Sequence, residues 1–85
     1  MKSEELNLHR TIATVKKNIA DAEIDLMVLR DQYAAFENQD SGDDSYRRLL
    51  KTQALYIERK KIVIELLHLS VEGFESELKN LNAVA

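Results

Sequence analysis

The sequence predicts an all-α fold, with two long antiparallel helices joined by one turn into a coiled-coil-like helical hairpin. Three observations predict it. The 85 residues include no Pro and only two Gly, and Leu, Ala, Glu, Lys and Arg dominate, which favours long helices over turns and sheets. Leu8, Ile12, Val15, Ile19, Ala22, Leu26, Leu29, Tyr33 and Phe36 follow one another at alternating spacings of four and three, the pattern of a heptad seam. One polar stretch, from Asn38 to Ser45, breaks the periodic sequence, and a short loop between long helices makes them antiparallel neighbours.

The first helix is expected over residues 4–38. Ser3 is its expected N-cap, and Glu4 and Glu5 lie where carboxylates oppose the positive end of the helix dipole. A turn follows over 39–44, where Gly42 can adopt positive φ and Asp43, Asp44 and Ser45 offer N-caps for what comes next. The second helix is expected over 45–71. Gly73 marks an end or a kink, and Phe74, Leu78 and Leu81 then fall in a short helical extension or frayed tail over 74–85. At about 1.5 Å per residue, each arm is on the order of 50 Å long.

Composition removes several classes of function. The chain has no Cys, so disulfides and thiolate metal sites are excluded. A formal net charge of −3 argues against a general nucleic-acid binder, which concentrates cations on one face to displace counterions. No 18-residue run is free of charge and the first residues are polar, so neither a membrane span nor a secretory leader is expected and the chain reads as cytoplasmic. His9 and His68 sit on opposite arms, which an antiparallel hairpin brings toward one open end, but no His-x-x-x-His or Glu-x-x-His spacing completes a metal site. Asp40, Asp43 and Asp44 surround Gly42 without the ligand order or the closing Glu of a calcium loop. The basic groups Arg47, Arg48 and Lys51, and then Arg59, Lys60 and Lys61, lack interleaved aromatics and read as solvated face or interface rim. With no nucleophile–base pair and no phosphate-cradling Gly loop, catalytic residues, cofactor, metal and small-molecule substrate are all absent from the expectation.

The positive signal is an excess of apolar side chains between Leu55 and Val71. At roughly 100° per residue, Leu55, Ile62, Leu66 and Leu69 form one stripe. Tyr56, Val63, Leu67 and Phe74 form a second, and Leu50, Ile57, Ile64 and Val71 a third. A hairpin buries one stripe per helix, and which of the three faces inward stays open at this point. Helix one has its own spare stripe in Ala20, Ile24, Met27 and Val28. Each large apolar side chain left in water forgoes about 1.5–3 kcal/mol, and 85 residues are few to bury so many. A protein partner is therefore expected, with homo-oligomer formation in its absence. The candidate contact residues are Ile24, Met27 and Val28 on helix one, and Leu55, Ile62, Leu66 and Leu69 on helix two.

The run Gly42-Asp43-Asp44-Ser45-Tyr46, followed by Leu49-Leu50, Gln53, Leu55, Ile57-Glu58 and the block Ile62-Val63-Ile64-Glu65-Leu66-Leu67, resembles the small co-chaperones of type III secretion needle subunits. The likeness extends back through Leu29-Arg30 and covers roughly residues 20–70. Arg47-Arg48 depart from the Gln-rich stretch usual after the Tyr, and the ends are longer than in typical members. The resemblance implies a hairpin that packs on a helical-repeat chaperone, the pair holding the needle subunit unpolymerised before export. Two alternatives from other classes stand beside it: a self-associating four-helix-bundle regulator or structural protein, and a hairpin acting on a channel through its acidic tip. The complete tip motif of such factors is not matched here.

Overall fold

The computed structural model describes residues 2–39 and 42–84, with Val84 described by its backbone alone. Asp40 and Ser41 of the expected turn, and Ala85 of the expected tail, lie outside the described residues. Two α-helices, α1 (Ser3–Asn38) and α2 (Asp44–Val84), make up the fold, with no strand among the described residues. They pack antiparallel into a rod with extents of 64 × 14 × 13 Å. Its radius of gyration is 19.1 Å, against about 12 Å for a compact domain of this length.

The helix ends follow from local chemistry, with one correction. Ser3 does not cap α1; it is the first helical residue. Lys2 stands at the cap in extended geometry (φ −68°, ψ 149°) and makes no side-chain capping bond. Its carbonyl accepts from the Leu6 N–H at 3.1 Å, so the helix starts one residue earlier than a serine cap requires. Glu4 and Glu5 occupy the first turn as expected. At the other end the Gln39 N–H tightens onto the Phe36 carbonyl at 3.1 Å, an i→i−3 closure. Gly42 then takes φ +80°, a conformation a side chain would oppose. Asp43 caps α2: its Oδ1 accepts from the Ser45 N–H at 3.4 Å, and its carbonyl from the Arg47 N–H at 3.0 Å. The Tyr46 hydroxyl donates to the Phe36 carbonyl, and the two rings meet edge to face at 6.4 Å between centroids. A carbonyl from the last turn of α1 is thus held by the first turn of α2.

The seam of α1 is the one expected. Ile12, Ile19 and Ala22 are buried, and Leu8, Val15, Leu26, Leu29, Tyr33 and Phe36 half-buried. Against them α2 presents Tyr46, Leu50, Gln53, Ile57, Lys60, Ile64, Leu67, Val71, Phe74, Leu78 and Leu81, all buried or half-buried and also spaced alternately four and three. The inward stripe of α2 is therefore Leu50, Ile57, Ile64 and Val71. The second expected stripe divides, because Leu67 and Phe74 pack on the core of Ile12, Ile19 and Val71 while Tyr56 and Val63 stay exposed.

Gly73 does not end the second helix, which runs unbroken to Val84. An interior Gly costs about 1 kcal/mol relative to Ala. Phe74 and Leu78 beyond it pack on the buried core, and burying two such side chains is worth more than that cost. Nothing lies within 4 Å of a Cβ built on Gly73. Gly73→Ala is therefore expected to stabilise the hairpin by about 1 kcal/mol, read as a rise of about 4–8 °C in thermal midpoint; a lowered midpoint would show that the backbone there departs from helix.

Candidate interaction surface

All seven candidate contact residues face solvent. Leu55, Ile62, Leu66 and Leu69 are 55–62% exposed, and Ile24, Met27 and Val28 are 49–65% exposed. Their directions follow from the two seams. Residues 55, 62 and 69 lie about half a helical circumference from the inward column of α2, with Leu66 beside them. They form a straight apolar ridge down the outer edge of the rod. Ile24 is set the same way on α1, hence along the opposite edge. Met27 and Val28 flank Ile24 on either side.

The structure therefore brings the four α2 residues together and separates them from Ile24 and Met27. One partner helix cannot cover both edges. Val28 has different neighbours. Two shallow grooves lie side by side on one broad face of the rod. One is lined by Leu29, Tyr56, Arg59, Lys60 and Val63, the other by Asp25, Val28, Leu29, Gln32 and Lys60. Tyr56 and Val63, 48% and 36% exposed, carry the apolar surface of α2 from the ridge round onto this face. The opposite broad face carries mainly charged residues: His9, Lys16, Glu23, Arg30 and Glu37 from α1, with Lys61, His68 and Glu75 from α2.

Most of the groups that suggested chemistry have local structural explanations. Lys60 Nζ reaches across to Asp25 Oδ2 at 3.5 Å, and Lys61 pairs with Glu58 at 3.1 Å within α2. His68 Nε2 stands 3.9 Å from Glu23 Oε1. These pairs are largely solvated, and such pairs contribute about 1 kcal/mol or less. Among the described residues no group of three or more His, Cys, Asp or Glu could hold a metal ion, and no helix is long and apolar enough to cross a membrane. Asp43 serves as a cap, and Asp40 lies outside the described residues.

Two seam residues escape a reading based on apolar periodicity. Gln53 and Lys60 occupy inward positions of α2, and only the unbroken four-and-three spacing running through them signals it. Gln53 Oε1 is buried without a hydrogen-bond partner among the described residues, and a buried acceptor left unmade costs about 1–3 kcal/mol. Gln53→Leu removes that cost and adds an apolar seam member, so urea denaturation is expected to show a midpoint shifted upward by the equivalent of about 1 kcal/mol or more. A destabilised variant would mean that the amide is satisfied in solution.

No family model, curated protein or solved structure matches the chain.

Proposed function

We propose that this chain is a non-enzymatic binding hairpin whose outer α2 ridge is covered by a helical protein partner, and that it serves in the cytoplasm as a co-chaperone of the kind its sequence resembles. The observation that carries the reading is the ridge of Leu55, Ile62, Leu66 and Leu69, each more than half exposed on a continuous helix. Area supports it. The chain exposes 6453 Å², against about 5,200 Å² for a compact monomer of its mass. The difference of roughly 1,300 Å² reflects the extended rod, and it exceeds the ~800 Å² that one partner contributes to a standard interface, so the surface is large enough to hold one.

In this role the work is physical. The hairpin and a helical-repeat chaperone cover each other's apolar surface, and the stabilised chaperone keeps an aggregation-prone needle subunit from polymerising before export. Without the partner, the same ridges associate with copies of themselves. The seam runs the length of α2, and the Tyr46 hydroxyl ties its first turn to the Phe36 carbonyl, so the ridge extends as a line about 21 Å long from Leu55 to Leu69.

The test is co-purification from the native host. The unaltered chain is expected to retain a helical-repeat protein in a stoichiometric complex, and Ile62→Asp to lose it while keeping its helical circular dichroism. Recovery of a partner without helical repeats would remove the co-chaperone role. Undiminished recovery with Ile62→Asp would remove the ridge from the interface.

A further inference from the structure

We propose that the two outer edges of the rod fit each other, so that copies of this chain lie side by side in the same orientation, the α1 edge of one against the α2 ridge of the next. The inference goes beyond the partner-bound role proposed above and specifies how the chain meets its own copies when the ridge is free. Opposite the α1 seam, one row repeats every seven residues as Leu6, Ala13, Ala20, Met27 and Ala34. All five are exposed. Among the described residues, the outermost positions of α1 carry four charges: Arg10 and Lys17 in the half remote from the turn, and Asp21 and Asp31 in the half beside it. On α2 the polarity is reversed. Arg48, Lys51 and Arg59 lie in the half beside the turn, where Glu58 is engaged by Lys61, and Glu65 and Glu72 lie in the remote half. Asp44 and Lys79, at the two ends of α2, are the exceptions.

Asp25 meets Lys60 across the hairpin, which sets the two helices at common heights. In copies aligned turn to turn, Ala13, Ala20 and Met27 of one then stand level with Glu72, Glu65 and Glu58 of the next. Both rows border the charged broad face, so the same orientation brings them together. Lys17 falls between Glu65 and Glu72 of the next copy, Asp31 falls beside Lys51, and Asp21 stands on the other border, in line with Arg59. Ile24 meets the ridge near Ile62 and supplies burial. Two ridges paired about a two-fold axis at Ile62 also match Glu72 with Lys51, but they gather Glu58 and Glu65 of both copies around the axis, and like charges at a partly desolvated rim oppose association. That pairing also leaves the α1 edge in water. Edge to edge, the glutamates meet Ala and Met instead. Each copy offers one edge of either kind, so the contact is heterologous and repeats into a closed ring or an open row. A partner seated on the ridge takes the place of the next copy.

The experiment reads self-association by sedimentation equilibrium in variants of two α1 residues that lie outside the ridge. Ala13→Glu with Ala20→Glu sets carboxylates level with Glu72 and Glu65, and is expected to weaken assembly about tenfold or more. Ala13→Lys with Ala20→Lys, of similar bulk, is expected to assemble at least about tenfold more tightly than the Glu pair, with a gap that narrows as salt is raised. Ile62→Asp blocks the other edge. A mixture of the Glu pair with Ile62→Asp is expected to give a one-to-one heterodimer that neither forms alone, because the first keeps its ridge and the second its α1 edge. Thermal midpoints serve as the folding control. Capture of the ridge partner by the Glu pair is expected to be unchanged, which separates this inference from the docking role. A parent chain that stays monomeric at tens of micromolar, equal assembly of the Glu and Lys pairs, or a mixture that stays monomeric overturns the edge-to-edge contact. Dimers of unchanged strength in both pairs overturn it in favour of the two-fold pairing of ridges.

Discussion

Ile19→Asp is expected to unfold the hairpin. Ile19 is 7% exposed and belongs to the small buried core it forms with Ile12 and Val71. Truncating a buried Ile costs about 2–5 kcal/mol, and an unpaired carboxylate in its place adds several more. A chain of this length has about 4–13 kcal/mol of stability in total. Neither helix is independent of the other, because most of a helix's stability comes from packing its apolar face. Loss of the seam should therefore remove helical circular dichroism from both arms. Ile24→Asp is the matched control: the same change on the same helix, at a residue 59% exposed, with most of the helical signal retained. A cooperative melt of Ile19→Asp near that of the parent would place the core elsewhere.

Leu66→Asp is expected to give the opposite result, with folding preserved and binding lost. Leu66 is 57% exposed and lies outside the buried core, and surface substitutions of this kind usually change stability by no more than about 0.5 kcal/mol. At a covered interface the same carboxylate is desolvated among apolar groups without a partner, at a cost of several kcal/mol. At about 1.4 kcal/mol per tenfold, that weakens the complex a hundredfold or more. Titration of the partner recovered with the parent chain, alongside circular dichroism, reads both effects. If Leu66→Asp unfolds the chain as severely as Ile19→Asp, the ridge is ordinary core and the case for a covered edge collapses.

The two substitutions also show which parts of the molecule periodicity can reveal. The α1 seam was readable residue by residue because every member from Leu8 to Phe36 is apolar or aromatic and nothing interrupts the count. On α2 the surplus of apolar residues hid the seam: three stripes competed, and the inward one includes Gln53 and Lys60, which a search for apolar residues passes over. The continuation through Gly73 was hidden for a different reason. Local propensity argues for a stop there, while the packing of Phe74 and Leu78 on the core depends on where α1 lies, a tertiary fact. The division of the candidate contact residues between two edges could not be read from either helix alone, since the direction of Ile24 relative to Leu55, Ile62 and Leu69 is set by how the two seams face each other. What the apolar excess did indicate was that more surface would remain outside than one hairpin can cover.

The positions of the buried residues bear on the order in which the hairpin forms and opens. Ile12, Ile19, Ala22 and Val71 are the buried apolar residues among those described, and none lies near the turn; Ile12 and Val71 are separated by nearly sixty positions along the chain. The half next to Gly42 is held by the Tyr46 clasp and by half-buried residues around Gln53 and Lys60. A short hairpin turn closes readily because its loop entropy is small, so contacts around Tyr46 and Phe36 are entropically the cheapest to make first. The strongest contacts, remote from the turn, form only when the arms have zipped along most of their length. In the folded molecule burial is deepest around Ile12, Ile19 and Val71, so amide exchange is expected to be slowest there and faster on the turn side. The contacts around Ile19 and Val71, in the half remote from the turn, are therefore expected to be the last to part.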